Sequence, residues 1–200
     1  IPLSDPLRIA EAAATVDQLS GGRLEFGAGR SSNIDAYVRS GADYSQSRER
    51  QLEGIEVILK AWTGNRFSHK GRYYQYEDAA LAPKPLQKPH PPVYVAASSR
   101  ETFAIAGTAG YHLFMSPRGE LSAARERVDT YREAWQRAGH DGEGKVLGSF
   151  LVYVADTMDA AREEPRDGTL ALWERQARIT APRAGLDEED AKDLLDRAPV

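Results

Sequence analysis

The sequence RLEFGAGRSS at residues 23–32 carries the strongest indication of fold and function in this chain. A short apolar strand runs into two glycines and then Arg30, and Arg48 follows at a predicted helix start. Glycine at the end of a strand lets the backbone approach a ligand closely. Arginine offers a planar, permanently charged fork that suits phosphate. The stretch therefore predicts the ligand-binding end of a strand, with Gly29, Arg30 and Arg48 near an anion.

A second predicted strand end repeats this arrangement. The strand VYVAA at 93–97 ends at Ala97, and Ser98, Ser99 and Thr102 follow at the start of a helix. The free N–H groups at a helix start attract anions, and hydroxyls add further donors. Two small, polar strand ends predict a phosphorylated ligand at the mouth of an α/β sheet or barrel. Simpler readings stay open, namely solvated arginines and hydroxyls that only cap the helix.

Helices and strands alternate along the predicted chain. Helices are predicted at 6–19, 47–63, 101–109 and 120–138, from residue 157, and beyond Pro165; strands are predicted at 24–28, 93–97, 111–116 and 146–155. The last strand is a continuous apolar run, typical of a strand covered on both faces. Residues 66–92 are polar and proline-rich, and a long irregular loop insertion is expected there. This order predicts one α/β domain over 1–200 with a parallel sheet, open or closed into a (β/α)8 barrel.

Composition excludes several classes of function. The chain has 200 residues, 26 basic and 30 acidic, and a net charge of −4, which argues against nucleic-acid binding. It has no cysteine, which excludes disulfides and thiolate metal sites and fits a reducing cytoplasm. The four histidines lack metal-ligand spacing, so no metal is expected. No apolar run reaches the ~20 residues of a membrane helix, and no signal peptide is apparent. The first residue is Ile1, and we expect an incomplete or processed segment.

Several motifs together resemble the bacterial luciferase-like flavin monooxygenase family. They extend from the first predicted helix through the strand that ends at Ala155. The motifs are PLRIAE at 6–11, TVDQLSGGR at 15–23, FGAGR at 26–30, GRYY at 71–74, PKPLQKPHPP at 83–92 and YVAASS at 94–99. The resemblance implies a (β/α)8 barrel of which this chain holds the fourth to seventh strands, the others lying before Ile1 and after Val200.

The same resemblance implies a cofactor and a reaction. FMN phosphate would be held by Arg30, Arg48, Ser99 and Thr102. Ser98 stands where luciferases carry a glutamate and Gly29 where they carry a cysteine, so light emission is not expected. Reduced FMN from a separate flavin reductase would react with O2 to oxygenate a small organic substrate. A cytoplasmic homodimer is expected, with the alanine-rich face of the helix at 6–19 at its interface. Catalytic residues on the early strands would lie outside the chain, so none is named.

Three other functions are compatible with these residues. A relative in the same barrel family would use the deazaflavin coenzyme to move a hydride rather than activate O2. A non-catalytic flavin-binding protein would keep the barrel without turnover. An unrelated phosphate-binding barrel acting on sugar phosphates would need a paired acid and base at strand ends, and no such pair is visible.

Overall fold

A four-stranded parallel sheet forms the centre of the fold. In this computed structural model, residues 1–31, 33–97, 99–116, 121–150, 152–172 and 174–175 are described. The sheet strands are β1 (Phe26–Ala28), β4 (Val93–Ala96), β5 (His112–Met115) and β6 (Val146–Gly148), side by side in that order. Every neighbouring pair is parallel. The predicted parallel α/β architecture is therefore confirmed.

Helices connect these strands, as repeated β–α units require. They are α1 (Pro6–Leu19), α2 (Ile34–Ser40), α3 (Ser47–Thr63), α4 (Arg100–Thr108), α5 (Leu121–Arg137) and α6 (Met158–Glu163), with a 3-10 turn at Tyr44–Gln46. Contacts group the chain into two compact units, one formed by Ile1–Ser116 with Arg125–Gly148 and the other by the remaining residues. The sheet lies in the first unit.

The first helix begins and ends where the sequence predicts. The Asp5 carboxylate accepts hydrogen bonds from the N–H groups of Leu7 at 2.9 Å and Arg8 at 3.1 Å, which caps α1. Pro6 occupies the first turn, where its missing N–H costs nothing. Gly21 has a φ of 66°, a left-handed conformation that favours glycine and turns the chain toward β1.

The alanine face of α1 is buried inside the chain. Ala10 and Ala14 have no exposed surface, and the Trp62 indole of α3 donates a hydrogen bond to the Ala10 carbonyl at 3.0 Å. Small side chains allow this close helix approach. The alanine face expected at a dimer interface is thus used within the chain, which corrects that assignment; the homodimer itself stays a prediction.

The prediction of an irregular loop over 66–92 is wrong for its first half. Residues 67–79 form an antiparallel hairpin of β2 (Phe67–Lys70) and β3 (Gln75–Ala79), in which Phe67 faces Ala79 and His69 faces Tyr76. Alternation of polar and apolar side chains over these short strands was hidden by the high overall polarity. The hairpin needs one buried face, and α3 supplies the surface on which that face packs.

The Glu53 carboxylate on α3 holds the hairpin in place. It accepts hydrogen bonds from the Tyr74 N–H at 2.8 Å and the Tyr73 N–H at 3.0 Å, and it lies 3.3 Å from His69 Nε2. Lys60 donates to His69 Nδ1 at 3.2 Å, so Nε2 carries the proton that points at Glu53. Burial acts to raise the pKa of Glu53, but these donors outweigh it and lower the pKa.

A second carboxylate, that of the buried Asp17 on α1, holds the proline-rich segment that leads into β4. Asp17 has no exposed surface and accepts hydrogen bonds from the Gln87 N–H at 2.9 Å and the Gln87 side-chain amide at 2.8 Å. Burial acts to raise the pKa of Asp17, and the hydrogen bonds, chiefly from Gln87, outweigh it and lower the pKa. This contact fixes the segment from which β4 starts.

Two further differences concern short elements. Helix α2 was not predicted, although Asn33 caps its start and Gly41, with a φ of 68°, ends it. The strand expected over 146–155 ends at Gly148, and Val152 and Val154 are 79% and 85% exposed. Among the described strands, β6 pairs only with β5. The rest of the apolar run therefore has no neighbouring strand to pair with.

The remaining predicted elements lie at the end of the chain. Thr157 caps α6 as predicted, its hydroxyl accepting from the Ala160 N–H at 3.1 Å. Residues 166–172 and 174–175 are helical. The part of the helical region predicted beyond Pro165 that follows residue 175 lies outside the described residues. Within the described ranges, none of the helices combines the length and apolar character needed to cross a bilayer.

Replacing Asp17 with asparagine should destabilise the protein in a pH-dependent way. We expect Asp17→Asn to lower the free energy of unfolding at about pH 7 by about 2 kcal/mol, because an amide presents N–H2 to donors that now meet a carboxylate. The Asp17 carboxyl has a lower pKa in the folded protein than in the unfolded protein. Its contribution to stability is therefore complete above the unfolded pKa of about 4 and disappears as the pH falls through the folded pKa. Urea unfolding at several pH values measures both effects.

The exposed Asp129 on α5 provides the matched control. Asp129→Asn makes the same chemical change and should alter the unfolding free energy by less than about 0.5 kcal/mol. A difference between wild type and Asp17→Asn that stays constant from about pH 7 to about pH 2 would contradict the role assigned to the carboxylate.

Replacing Glu53 with glutamine should release the hairpin. We expect Glu53→Gln to speed hydrogen exchange at the Tyr73 and Tyr74 amides and to lower the unfolding free energy by about 1–3 kcal/mol, because two backbone donors lose their charged acceptor. Glu133→Gln, which makes the same change at an exposed ion pair with Arg137 on α5, is the control. Unchanged exchange at both tyrosine amides in Glu53→Gln would refute this anchoring.

Candidate functional site

The candidate site lies at one edge of the sheet, where β1 and β4 end. The two strands pair in parallel, with Phe26 opposite Val93 and Ala28 opposite Val95. Because parallel strands end at the same edge, the residues that follow them are brought together. Gly29 and Arg30 follow β1, and Ala97 and Ser99 follow β4. The structure thus places both predicted strand ends side by side; Ser98 lies outside the described residues.

The end of β1 is held in position by α3 and has open space beside Gly29. The buried Gln51 side-chain amide on α3 donates to the Ala28 carbonyl at 3.1 Å. Among the described residues, and apart from Gly29 and its two chain neighbours, no heavy atom lies within 4 Å of the position that a Cβ of Gly29 would take. Ala97 is buried, and its N–H donates to the Phe114 carbonyl at 2.9 Å, continuing the sheet. The edge therefore offers free space beside Gly29 on a fixed backbone.

Arg30 is anchored at both its backbone and its side chain. Its guanidinium donates a hydrogen bond to the Ser47 hydroxyl at 3.2 Å, and its carbonyl accepts from the Tyr37 hydroxyl. Ser47 and Tyr37 are each 1% exposed, so both partners are fixed in the protein interior. Burial raises the pKa of Tyr37, which keeps its hydroxyl protonated as a donor. The Arg30 guanidinium therefore contacts the first residue of α3, which directly precedes Arg48 in the chain.

Arg48 reaches the start of a different helix. Its guanidinium forms an ion pair with the Glu101 carboxylate in the first turn of α4. The side chains are 37% and 62% exposed, so the contact lies at the surface of the site. This ion pair connects the N-terminal ends of α3 and α4. The guanidinium predicted to bind an anion therefore lies beside the hydroxyl-bearing helix start, where a carboxylate already contacts it.

The hydroxyls of the site cap α4. The Ser99 hydroxyl accepts from the Thr102 N–H at 3.4 Å, and the Ser99 and Thr102 hydroxyl oxygens lie 2.9 Å apart. The first N–H groups of the helix, at Arg100 and Glu101, have no acceptor within the helix, as at any helix start. Ser99 is thus an N-cap, as the simpler reading had it, and Thr102 serves as its hydrogen-bond partner.

The donor set fits a phosphate group. The Arg30 guanidinium contacts Ser47, the Arg48 guanidinium contacts Glu101 at the start of α4, and the Ser99 and Thr102 hydroxyls lie at the start of that same helix. Each of these donor groups is a preferred partner of phosphate oxygens. Among the described residues, histidine, aspartate and glutamate form no group of three that could hold a metal ion.

Several contributing residues were not predicted as part of the site. They are Tyr37, Ser47, Gln51 and Glu101. Ser47 directly precedes Arg48, and Glu101 lies between Ser99 and Thr102. Both residues could therefore have been found as polar neighbours of the predicted site residues in the first turns of the two helices. Tyr37 lies on α2, and without that helix its contact with the Arg30 carbonyl was not foreseeable.

A family model described as luciferase-like monooxygenase matches residues 1–199. Among curated proteins, the chain is 33% identical over 167 residues to the oxygenase component of a flavin-dependent trigonelline monooxygenase of Acinetobacter baylyi, covering 80% of this chain and 45% of that protein. It is 28% identical over 160 residues to an FMNH2-dependent dimethylsulfone monooxygenase of Pseudomonas putida, covering 78% and 43%. It is also 35% identical over 109 residues to an F420-dependent glucose-6-phosphate dehydrogenase of Amycolatopsis mediterranei, covering 53% and 32%.

The solved structures agree with these sequence relatives. The monooxygenase RslO1 of Streptomyces bottropensis matches with a TM-score of 0.77 and 26% identity, over 90% of this chain and 55% of that one. The chain spans about half the length of the relatives it matches, with shares of 45% and 43% for the two monooxygenases above. The expected fold class, a luciferase-like (β/α)8 barrel of which this chain forms four parallel strands, is confirmed.

Proposed function

The chain belongs to the luciferase-like monooxygenase family, and on that premise we propose that it forms part of an oxygenase that uses reduced FMN and O2 to oxygenate a small organic substrate. One observation carries the proposal. Arg30 and Ser99 follow the adjoining ends of two parallel strands, and Arg48, at the start of α3, contacts Glu101 in the first turn of the helix that Ser99 caps; one phosphate contacting all three groups is the proposal. The named relatives that depend on a flavin, and one on FMNH2 in particular, support the choice of cofactor.

The proposed roles follow from the chemistry of each group. The two guanidinium groups bind the FMN phosphate, which carries a double negative charge, and the Ser99 and Thr102 hydroxyls donate to its remaining oxygens. The Arg100 and Glu101 N–H groups add partial positive charge at the same place. Gly29 and Ala97 have small side chains or none, so they leave room for the phosphate at the strand ends. Ser98, which precedes the cap, is proposed as a further phosphate-binding residue. When bound, reduced FMN supplies the electrons and the reactivity toward O2.

The protein contributes positioning at this edge. Arg30 is held by buried partners, so its guanidinium is set before the cofactor arrives. A cofactor fixed by its phosphate at the strand ends extends over the mouth of the barrel, where family members with this fold place their reactive centres. We name no catalytic residue, because the groups that would contact the substrate belong to strands beyond the four described.

The partners of the proposed reaction follow from the relatives. The trigonelline enzyme is named as an oxygenase component, which supports a separate flavin reductase as the source of reduced FMN for this protein. A small organic molecule and O2 are the proposed substrates. A cytoplasmic location and a homodimer stay predictions from the sequence resemblance.

A second candidate is hydride transfer with the deazaflavin coenzyme F420. The similarity to an F420-dependent dehydrogenase favours it. That coenzyme also carries phosphate, so the same arginines and hydroxyls would serve it. The two candidates share the anion site and differ in the ring system placed over the barrel.

Anaerobic titration of the full-length protein with reduced FMN tests the proposal. We expect binding at micromolar concentration, and we expect Arg30→Met and Arg48→Met each to weaken it by about tenfold or more, because each removes a charged hydrogen-bond donor to phosphate. Riboflavin, which lacks the phosphate, should lose far less affinity in both variants. Absorbance or calorimetric titration gives the dissociation constants.

The exposed Arg137 on α5, paired with Glu133, provides the matched control. Arg137→Met should bind FMN like the wild type. Binding of F420 without binding of FMN would select the second candidate. No binding of either cofactor below millimolar concentration would refute both.

A further inference from the structure

We propose that Glu101 competes with the cofactor phosphate for Arg48 and thereby sets the affinity of the site. This inference rests on the proposed function, because it takes the arginine pair as the phosphate site. The Glu101 carboxylate presents anionic oxygens to the Arg48 guanidinium, as a phosphate would. Binding of a phosphorylated cofactor therefore exchanges one anionic partner of Arg48 for another.

The position of Glu101 supports competition rather than a remote surface contact. Glu101 is the second residue of α4, between the cap Ser99 and its partner Thr102. Its ion pair with Arg48 crosses from α4 to α3, whereas the surface pair Arg137–Glu133 joins residues one turn apart on a single helix. A carboxylate at this point lies among the groups that would surround the phosphate.

The two arginines differ in how they are held. Arg30 donates to the neutral Ser47 hydroxyl, which can keep that bond while the other guanidinium N–H groups turn to an anion. Arg48 is paired with a full negative charge. We therefore infer that Arg30 is preset for phosphate and that Arg48 becomes available only when it leaves Glu101 or shares its donors with both anions.

Charge explains why this arrangement lowers affinity. A carboxylate next to a doubly charged phosphate repels it, and breaking or sharing the ion pair costs part of the attraction that Arg48 offers. The pair is 37% and 62% exposed, so the competition is moderate and is screened by salt. The negative charge of Glu101 also stabilises the positive N-terminal end of α4, which gives the residue a second, structural effect.

The test compares Glu101→Gln with wild type in anaerobic titrations of the full-length protein with reduced FMN and reduced riboflavin. Glu101→Gln should bind FMN about fivefold more tightly at low salt, while riboflavin affinity stays the same. The difference for FMN should shrink between about 0.05 M and about 0.5 M salt. Glu133→Gln, which makes the same change of charge at the Arg137 pair, should leave both affinities unaltered.

A double variant separates competition for Arg48 from direct repulsion of the phosphate. In the Arg48→Met background, Glu101→Gln should tighten FMN binding much less than in wild type, because only the direct repulsion between carboxylate and phosphate is then removed. A gain as large as that in wild type overturns the competition, and so does an equal gain for riboflavin. Circular dichroism melting curves check that each variant is folded.

The outcomes also distinguish this inference from the function on which it rests. Wild type that binds FMN and weakens in Arg48→Met, together with unchanged affinity in Glu101→Gln, overturns the role of Glu101 alone. Wild type that does not bind FMN overturns both. A selective, salt-dependent gain for FMN in Glu101→Gln supports both.

Discussion

The parallel pairing of β1 with β4 is the constraint on which the candidate site depends. Parallel strands end at the same edge, so Arg30 after β1 and Ser99 after β4 become neighbours although 69 positions separate them. An antiparallel pair would put these residues at opposite ends of the sheet. The ion pair of Arg48 with Glu101 joins the first turn of α3, which comes after α2 in the chain, to the first turn of α4, which follows β4.

Two carboxylates, the partly buried Glu53 and the buried Asp17, hold the chain between those strands in place. Glu53 holds the hairpin on α3, and Asp17 holds the proline-rich segment on α1. In each case burial disfavours the charged form, and several N–H donors reverse that effect, so the pKa falls. A buried carboxylate with fewer donors would be protonated or would weaken the fold. The connection between the strands is therefore built from directed hydrogen bonds as well as apolar packing, and this fixes where β4 begins.

The site balances attraction and repulsion within a small space. Arg30 is tied to the buried groups Ser47 and Tyr37, and Arg48 is tied to an exposed carboxylate. An anion would find one guanidinium already positioned and a second already engaged. A flavin phosphate as that anion, and the roles of the individual residues, stay proposals.

Local sequence signals were sufficient for much of the fold. Asp5 with Pro6, and Gly21 with Gly22, set the ends of α1, and the spacing of apolar residues between Ser47 and Thr63 set α3, because caps and helical periodicity act over a few residues. The strand ends at Gly29 and Ala97 and the positive charge of Arg30 and Arg48 were likewise visible in the sequence. Contacts between distant segments decided the rest. The hairpin packs on α3 with Glu53 as its acceptor, β6 pairs only with β5 among the described strands, and Arg48 of α3 meets Glu101 at the start of α4. Such pairings depend on which surfaces fold against each other, and no local pattern of residues encodes them.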